Sequence, residues 1–489
     1  MTREWLGAVG VVAYLALLIG IAVAARRARQ NESPADHFLA GRGLGVFVLF
    51  LTLYATTYSG NTLLGYPGEA YRQGFSWVMA TGFMLSIIVV FHALAPKLRP
   101  IAVREGFVTP GDWVRFRFSG ESGSRQLLFG VSLLMAFALA SLLFSQLKAM
   151  GELAEQFSGG VISYEWSVAL LAGMVLFYET VGGMRAVAWT DALQGVLMLV
   201  GSAALLQWLL AESGGLGALT SQILEVRPGA ADLPDAGEQI NWFSTIALMG
   251  LASVVYPQAI QRIYAARSGR VLRRSLVLMS FMPLATTLVV TLVGLAAIAR
   301  FQGLGDVEAD RVMPLLLGEW ARQGLGFSIA AMVVFLGALA AIMSTADSVL
   351  LSLGSVAAED LFGRSHREAD TTRFGKRIAA ALIVGMALLA IGARDVTLWG
   401  VIELKMELLI QSVPVFLIAI HWSRFRAQPA LLGLAFGVGI VLAGVAWDSQ
   451  RVSGVHIGVI GFAANVAIAC VGSLFRVPGR RSRGATQFE

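Results

Sequence analysis

Four oxygen-bearing side chains, Ser344, Thr345, Asp347 and Ser348, crowd into an apolar run at residues 336–348. At about 100° per residue, Ala341, Ser344, Thr345 and Ser348 share one helix face, with Asp347 at its edge. Such hydroxyls can bind a hard cation, or they can bond back to carbonyls one turn earlier. Asp347 is the sharper signal, because an ionisable group inside a membrane span is costly and marks a functional site by default. It is a cation ligand, a protonated neutral carboxyl, or a partner of a neighbouring helix. A second set, Glu403, Lys405 and Glu407, lies in another apolar run. Glu403 and Glu407 stand one turn apart on one face and Lys405 points nearly opposite, so the lysine pairs with neither acid in its own helix. Glu407 falls close to a bilayer midplane. These charges form an outer vestibule or inter-helix salt bridges, or else Lys405 or a glutamate selects a charged solute. Lipid exposure is disfavoured.

Both sets need a bilayer around them. The chain has 489 residues, 56% hydrophobic and 14% charged, with mean hydropathy +0.71, against roughly 25% charged in soluble domains. Apolar stretches predict about thirteen spans, roughly 5–25, 44–66, 75–95, 126–157, 161–180, 186–211, 240–264, 272–300, 326–357, 377–393, 396–421, 427–447 and 455–475. They are helices, since no ten-residue alternating segments of a barrel occur. Lys and Arg gather in alternate loops, which predicts the N-terminus outside and the C-terminus inside. That alternation, rather than nucleic-acid binding, accounts for the net charge of +6. Arg26, Arg27 and Arg29 follow the first apolar run, so it reads as a retained span and not a signal peptide. Cys470 is the only cysteine, which excludes an internal disulfide or a metal-thiolate cluster.

Two spans are interrupted. Residues 51–68 hold Thr52, Thr56, Thr57, Ser59, Gly60 and Asn61 at their centre, poor helix formers that compete for backbone hydrogen bonds. The seventh span carries Tyr256 and Pro257, and the proline removes a backbone donor mid-span. These two spans run in opposite directions and head two units of similar length, 44–211 and 240–421. The pattern is that of a transporter built from inverted repeats around a midplane site, although Gly and Pro also serve simple helix packing. Residues 1–43 form an extra N-terminal helix and basic loop, 427–475 two additional helices, and 476–489 a basic cytoplasmic tail.

Four segments carry a family resemblance. They are Phe38-Leu39-Ala40-Gly41-Arg42 with Gly65-Tyr66-Pro67-Gly68-Glu69-Ala70; Tyr178-Glu179-Thr180-Val181-Gly182-Gly183-Met184-Arg185 running on to Gln194; Pro257 with Gln261-Arg262; and Met343-Ser344-Thr345 with Glu359-Asp360-Leu361. Together they resemble the sodium/solute symporter family, which includes bacterial proline and pantothenate symporters and the sodium/glucose symporters. The resemblance implies an all-α polytopic, leucine-transporter-type 5+5 inverted-repeat fold in a bacterial-type cytoplasmic membrane. It implies one Na+ between spans two and nine, held by the carbonyls of Ala55, Tyr58 and Ala341 and the hydroxyls of Ser344 and Thr345. It further implies a possible second cation site at Ser344, Asp347, Ser348 and Asp191.

The solute is expected near the breaks. Gly60 permits close backbone approach, Asn61 offers donor and acceptor, and Tyr256 can close the inner side as an aromatic gate; each can instead be packing. The expected function is Na+-coupled symport of a small organic solute, with a preference for a carboxylate or amino acid resting on the polar break and Lys405. A proton-coupled symporter, or a sensor acting with a separate partner, are the alternatives. An intramembrane enzyme lacks motif support. The partners are the solute and the lipid bilayer; the oligomeric state is left open, a monomer being one reading.

Overall fold

Backbone in a bilayer must satisfy its own hydrogen bonds, and apolar stretches of this length do so as helices. The computed structural model describes residues 3–27, 34–363 and 368–475; the expected tail at 476–489 lies outside them. Among the described residues, eight helices are long and apolar enough to cross a membrane. The number is nine when Ala236–Ser253 and Pro257–Ala265, bent by 52°, count as one span. Three shorter apolar helices accompany them: Val9–Ala25, Val46–Thr57 and Tyr164–Phe177. The chain is a multi-pass, mostly helical membrane protein.

The helix Leu325–Ser355 forms the centre. Every residue from Gly337 to Ser355 along it is buried, the pattern of a helix surrounded by others. It packs chiefly on Tyr164–Ser213 and Ser124–Phe157. The helix Tyr164–Ser213 is interrupted at Gly183, where φ is 60° and ψ −166°. A Cβ at Gly183 would stand 2.6 Å from His37 Nδ1, so both the conformation and the space require glycine. This is the junction that the sequence places between its fifth and sixth spans.

Both expected breaks are present. The helix Val46–Thr57 stops, Tyr58 adopts an extended conformation, and a wide helical turn over Asn61–Gly65 restarts the chain. The helix Ala236–Ser253 stops before extended Tyr256, and Pro257 opens Pro257–Ala265, where its missing N–H would have no partner in any case.

Four features differ from the sequence reading. The expected span 396–421 is helical but irregular: Leu398–Leu409 runs on into a tight turn at Ile410–Ser412 and a wide one at Pro414–Ile418, because Pro414 cannot continue the regular ladder. The segment between residues 213 and 236 is partly helical, with Leu216–Val226. The segment 301–325 folds into Asp306–Ala309 and Val312–Arg322. A small antiparallel hairpin, Arg451–Val452 with Val455–His456, joins the last two helices.

Candidate functional site

The first break exposes carbonyls. When Val46–Thr57 ends, its last-turn carbonyls lose their partners four residues on. One of these, the Ala55 carbonyl, accepts from Thr345 Oγ1 at 3.4 Å. Ala341, Ser344 and Thr345 are fully buried beside it. The Ala55 carbonyl and the Thr345 hydroxyl offer oxygen only, the donor type a hard monovalent cation takes. Ser344 is turned elsewhere, donating to Asp191 Oδ1 at 2.6 Å.

The break is held open by a neighbour that the sequence reading missed. Gly60 N donates to Gln146 Oε1 at 2.8 Å, and a Cβ on Gly60 would lie 2.7 Å from Ile342 Cγ1. Gly60 therefore permits close approach, as expected, and the helices Ser124–Phe157 and Leu325–Ser355 make that approach.

The expected second cation position already contains a positive charge. Arg262 Nη2 donates to Asp191 Oδ2 at 2.9 Å and to Ser348 Oγ at 2.5 Å. Its Nε donates to Thr52 Oγ1 at 2.9 Å and its Nη1 to the Gln258 carbonyl at 3.0 Å. Thr52 Oγ1 in turn bonds Asp191. Arg262, Asp191, Ser344, Ser348 and Thr52 are all fully buried. The guanidinium thus takes up Asp191 Oδ2 and Ser348 Oγ, two of the oxygens expected to face an ion. Asp347 stays outside the network: it is 2% exposed and its Oδ1 has no hydrogen-bond partner among the described residues. The position of Arg262, five residues past Pro257 and one turn beyond Gln258 within the expected span 240–264, was the available signal that it lies within the bundle.

Between the two breaks is a cavity lined by residues of both. Asn61 and Tyr256 line it, as the sequence predicts, together with Lys405, Gln258, Arg262 and an apolar wall that includes Phe83, Met84 and Phe91. Asn61 Nδ2 donates to Ser145 Oγ at 3.2 Å, whereas its Oδ1 has no partner. The Tyr256 hydroxyl and Gln258 Oε1 are also buried without partners. Glu407 is not at this cavity, contrary to its candidacy as a solute ligand. Its Oε1 sits 3.3 Å from His456 Nδ1, and its Cα lies 2.5 Å from where a Gly458 Cβ would be. The helix Leu398–Leu409 presents Lys405 to the cavity and its two acids to the C-terminal elements. Glu403 pairs with Arg451 there. His456 is held down at about 4 by burial, which outweighs the nearby Glu403.

A further ionic cluster closes one end of the bundle. Arg72 joins Glu69 at 2.5 Å and Asp310 at 3.2 Å, and Asp310 Oδ2 accepts from Leu398 N at 2.9 Å. Burial pushes the Asp310 carboxyl up to about 6, against the opposing pull of Arg72.

The profile of the sodium:solute symporter family matches residues 37–437. A high-affinity proline transporter of Bacillus subtilis is 26% identical over 449 residues, covering 90% of this chain and 92% of the relative. A sodium/pantothenate symporter of Escherichia coli is 26% identical over 470 residues, covering 91% and 92%. Among solved structures, a Na+-coupled sialic acid symporter in a substrate-bound outward-open state superimposes with a TM-score of 0.78 at 18% identity, covering 97% of this chain and 99% of that one. Mhp1, a nucleobase-cation-symport-1 family transporter, superimposes with a TM-score of 0.58 at 15% identity, covering 94% and 98%.

Proposed function

The chain belongs to the sodium:solute symporter family and is a Na+-coupled symporter of a small solute, and we propose that its sodium binds between the first break and the helix Leu325–Ser355. The ligands are the carbonyls of Ala55, Tyr58 and Ala341 and the hydroxyls of Thr345 and Ser344, the last after release from Asp191. The contact between Thr345 Oγ1 and the Ala55 carbonyl carries this reading. It draws together, from residues 290 apart in sequence, the hard oxygens that such an ion requires. An ion there ties the broken span to the central helix, so sodium occupancy favours one arrangement of the two, which is how its gradient can drive the solute.

Arg262 supplies the fixed positive charge at the second position, so the coupling stoichiometry is one Na+. The leucine-transporter-type fold gives the frame for the remaining details. There are thirteen spans, N-terminus out and C-terminus in, with 44–211 and 240–421 as inverted repeats and the chain in a bacterial-type cytoplasmic membrane. The two helix breaks and the alternating basic loops support this arrangement. The solute, a small carboxylate or amino acid, occupies the cavity between the breaks, beside Asn61, Tyr256 and Lys405. Equilibrium binding of radioactive sodium to the purified protein tests the stoichiometry. One ion per chain is expected, and two ions or none contradict the reading.

A further inference from the structure

Lys405 is buried, 2% exposed, on the wall of the cavity. Among the described residues, no carboxylate stands within ion-pair distance of it and no carbonyl accepts from it. The fold handles its other deeply buried lysine differently. Lys148 donates to the Arg394 carbonyl at 2.5 Å and has Glu152 at 3.5 Å. The acids on Lys405's own helix are turned away and engaged by Arg451 and His456. An ammonium buried without a counter-ion is costly, and this one lines the cavity.

Three acceptor-capable oxygens share that cavity and also lack partners: Asn61 Oδ1, Gln258 Oε1 and the Tyr256 hydroxyl. Each such buried group left unsatisfied is costly. Asn61 belongs to the first break, Tyr256 and Gln258 to the second, and Lys405 to a third element, so the cation and the acceptors come from different walls. The other cation on the cavity wall, Arg262, is committed to Asp191. The available charge is therefore a single positive one.

Resting on the reading of this cavity as the solute site, we propose that Lys405 is its anion receptor. The solute class is a compact monoanionic carboxylate that also carries an amino or hydroxyl donor for the Asn61, Gln258 and Tyr256 oxygens. One free ammonium matches one carboxylate. A dicarboxylate or a phosphate ester would bring a second negative charge with no cation to meet it, and a neutral sugar would leave Lys405 unmatched. The Phe83, Met84, Ile87, Phe91 and Met249 side chains then take the solute's aliphatic body.

Thermal stabilisation of the purified full-length protein in saturating Na+ tests this with a panel of amino and hydroxy monocarboxylates, each beside its amide, plus dicarboxylates and sugars. At least one acid is expected to bind on the order of tenfold more tightly than its amide, about 1.4 kcal/mol. Lys405→Gln is expected to bring that ratio near one, while Lys405→Arg keeps most of it. Stabilisation by Na+ alone is expected to be equal in wild type and Lys405→Gln; its absence in both would count against the sodium site and not against Lys405. The proposal is overturned if no monocarboxylate stabilises the protein, if amides or sugars bind as well as acids, or if Lys405→Gln retains the acid preference.

Discussion

Two cations line the same cavity in opposite circumstances. Arg262 is wrapped by Asp191, Ser348, Thr52 and the Gln258 carbonyl, whereas Lys405 has no partner among the described residues. The difference follows from side-chain chemistry. A planar guanidinium with several donors can join elements from many sides, and a point-charge ammonium on a flexible stem can wait for one ligand. A saturated buried charge fixes structure; an unsaturated one is available to a solute.

The largest expected effect comes from breaking the saturated side. Arg262→Met leaves Asp191 buried without its counter-ion, a loss on the order of 3–5 kcal/mol, read as a collapsed melting temperature and lost transport. Pairing it with Asp191→Leu should recover much of that stability, because a buried ion pair replaced by apolar groups is often close to neutral. Failure of the double variant to recover would mean that the network does more than balance charge.

Lys405→Met is expected to do the reverse. It removes a desolvated charge with no partner, so the melting temperature should stay level or rise, while solute affinity falls roughly tenfold. A strongly destabilised Lys405→Met would place Lys405 with Arg262 as a structural cation.

At the end of the bundle, Asp310 offers a pH test of the same principle. Its carboxyl is raised in the folded protein to about 6, above the unfolded value near 3.9. The folded state therefore binds the proton more tightly, and stability rises as pH falls through the window from about 6 towards 4. Relative to Asp310→Asn, the wild type should gain about 1 kcal/mol between pH 7 and pH 5. A difference that does not change with pH would mean that Arg72 fully offsets the burial.

The smallest effect is expected at Glu407. Because it faces His456 and not the cavity, Glu407→Gln should leave solute affinity within about twofold, a few tenths of a kcal/mol. A large loss of affinity would move the solute towards the C-terminal helices.

Much of this arrangement was legible in the chain. The helical spacing of Ala341, Ser344 and Thr345 and the polar centre of residues 51–68 indicated where oxygens would gather, because both signals are local. The opposed faces of Lys405 and the two glutamates were legible for the same reason. Which face meets the cavity was not, since that depends on the Gly458 contact and the hairpin at residues 451–456. The partners of Arg262 were not legible, since Thr52, Asp191 and Ser348 come from three other helices. Gln146, which holds Gly60, belongs to a different helix, and no periodicity within one helix reports a partner on another.

The sodium site is tested most directly by titrating Na+ against solute uptake in proteoliposomes containing Thr345→Ala. Loss of one oxygen ligand at a site where Thr345 meets the Ala55 carbonyl should weaken apparent Na+ affinity by about tenfold or more, a change of roughly 1.4 kcal/mol. Solute affinity at saturating Na+ should stay within about twofold of wild type. An unchanged sodium dependence in a folded, transporting Thr345→Ala protein would contradict the account.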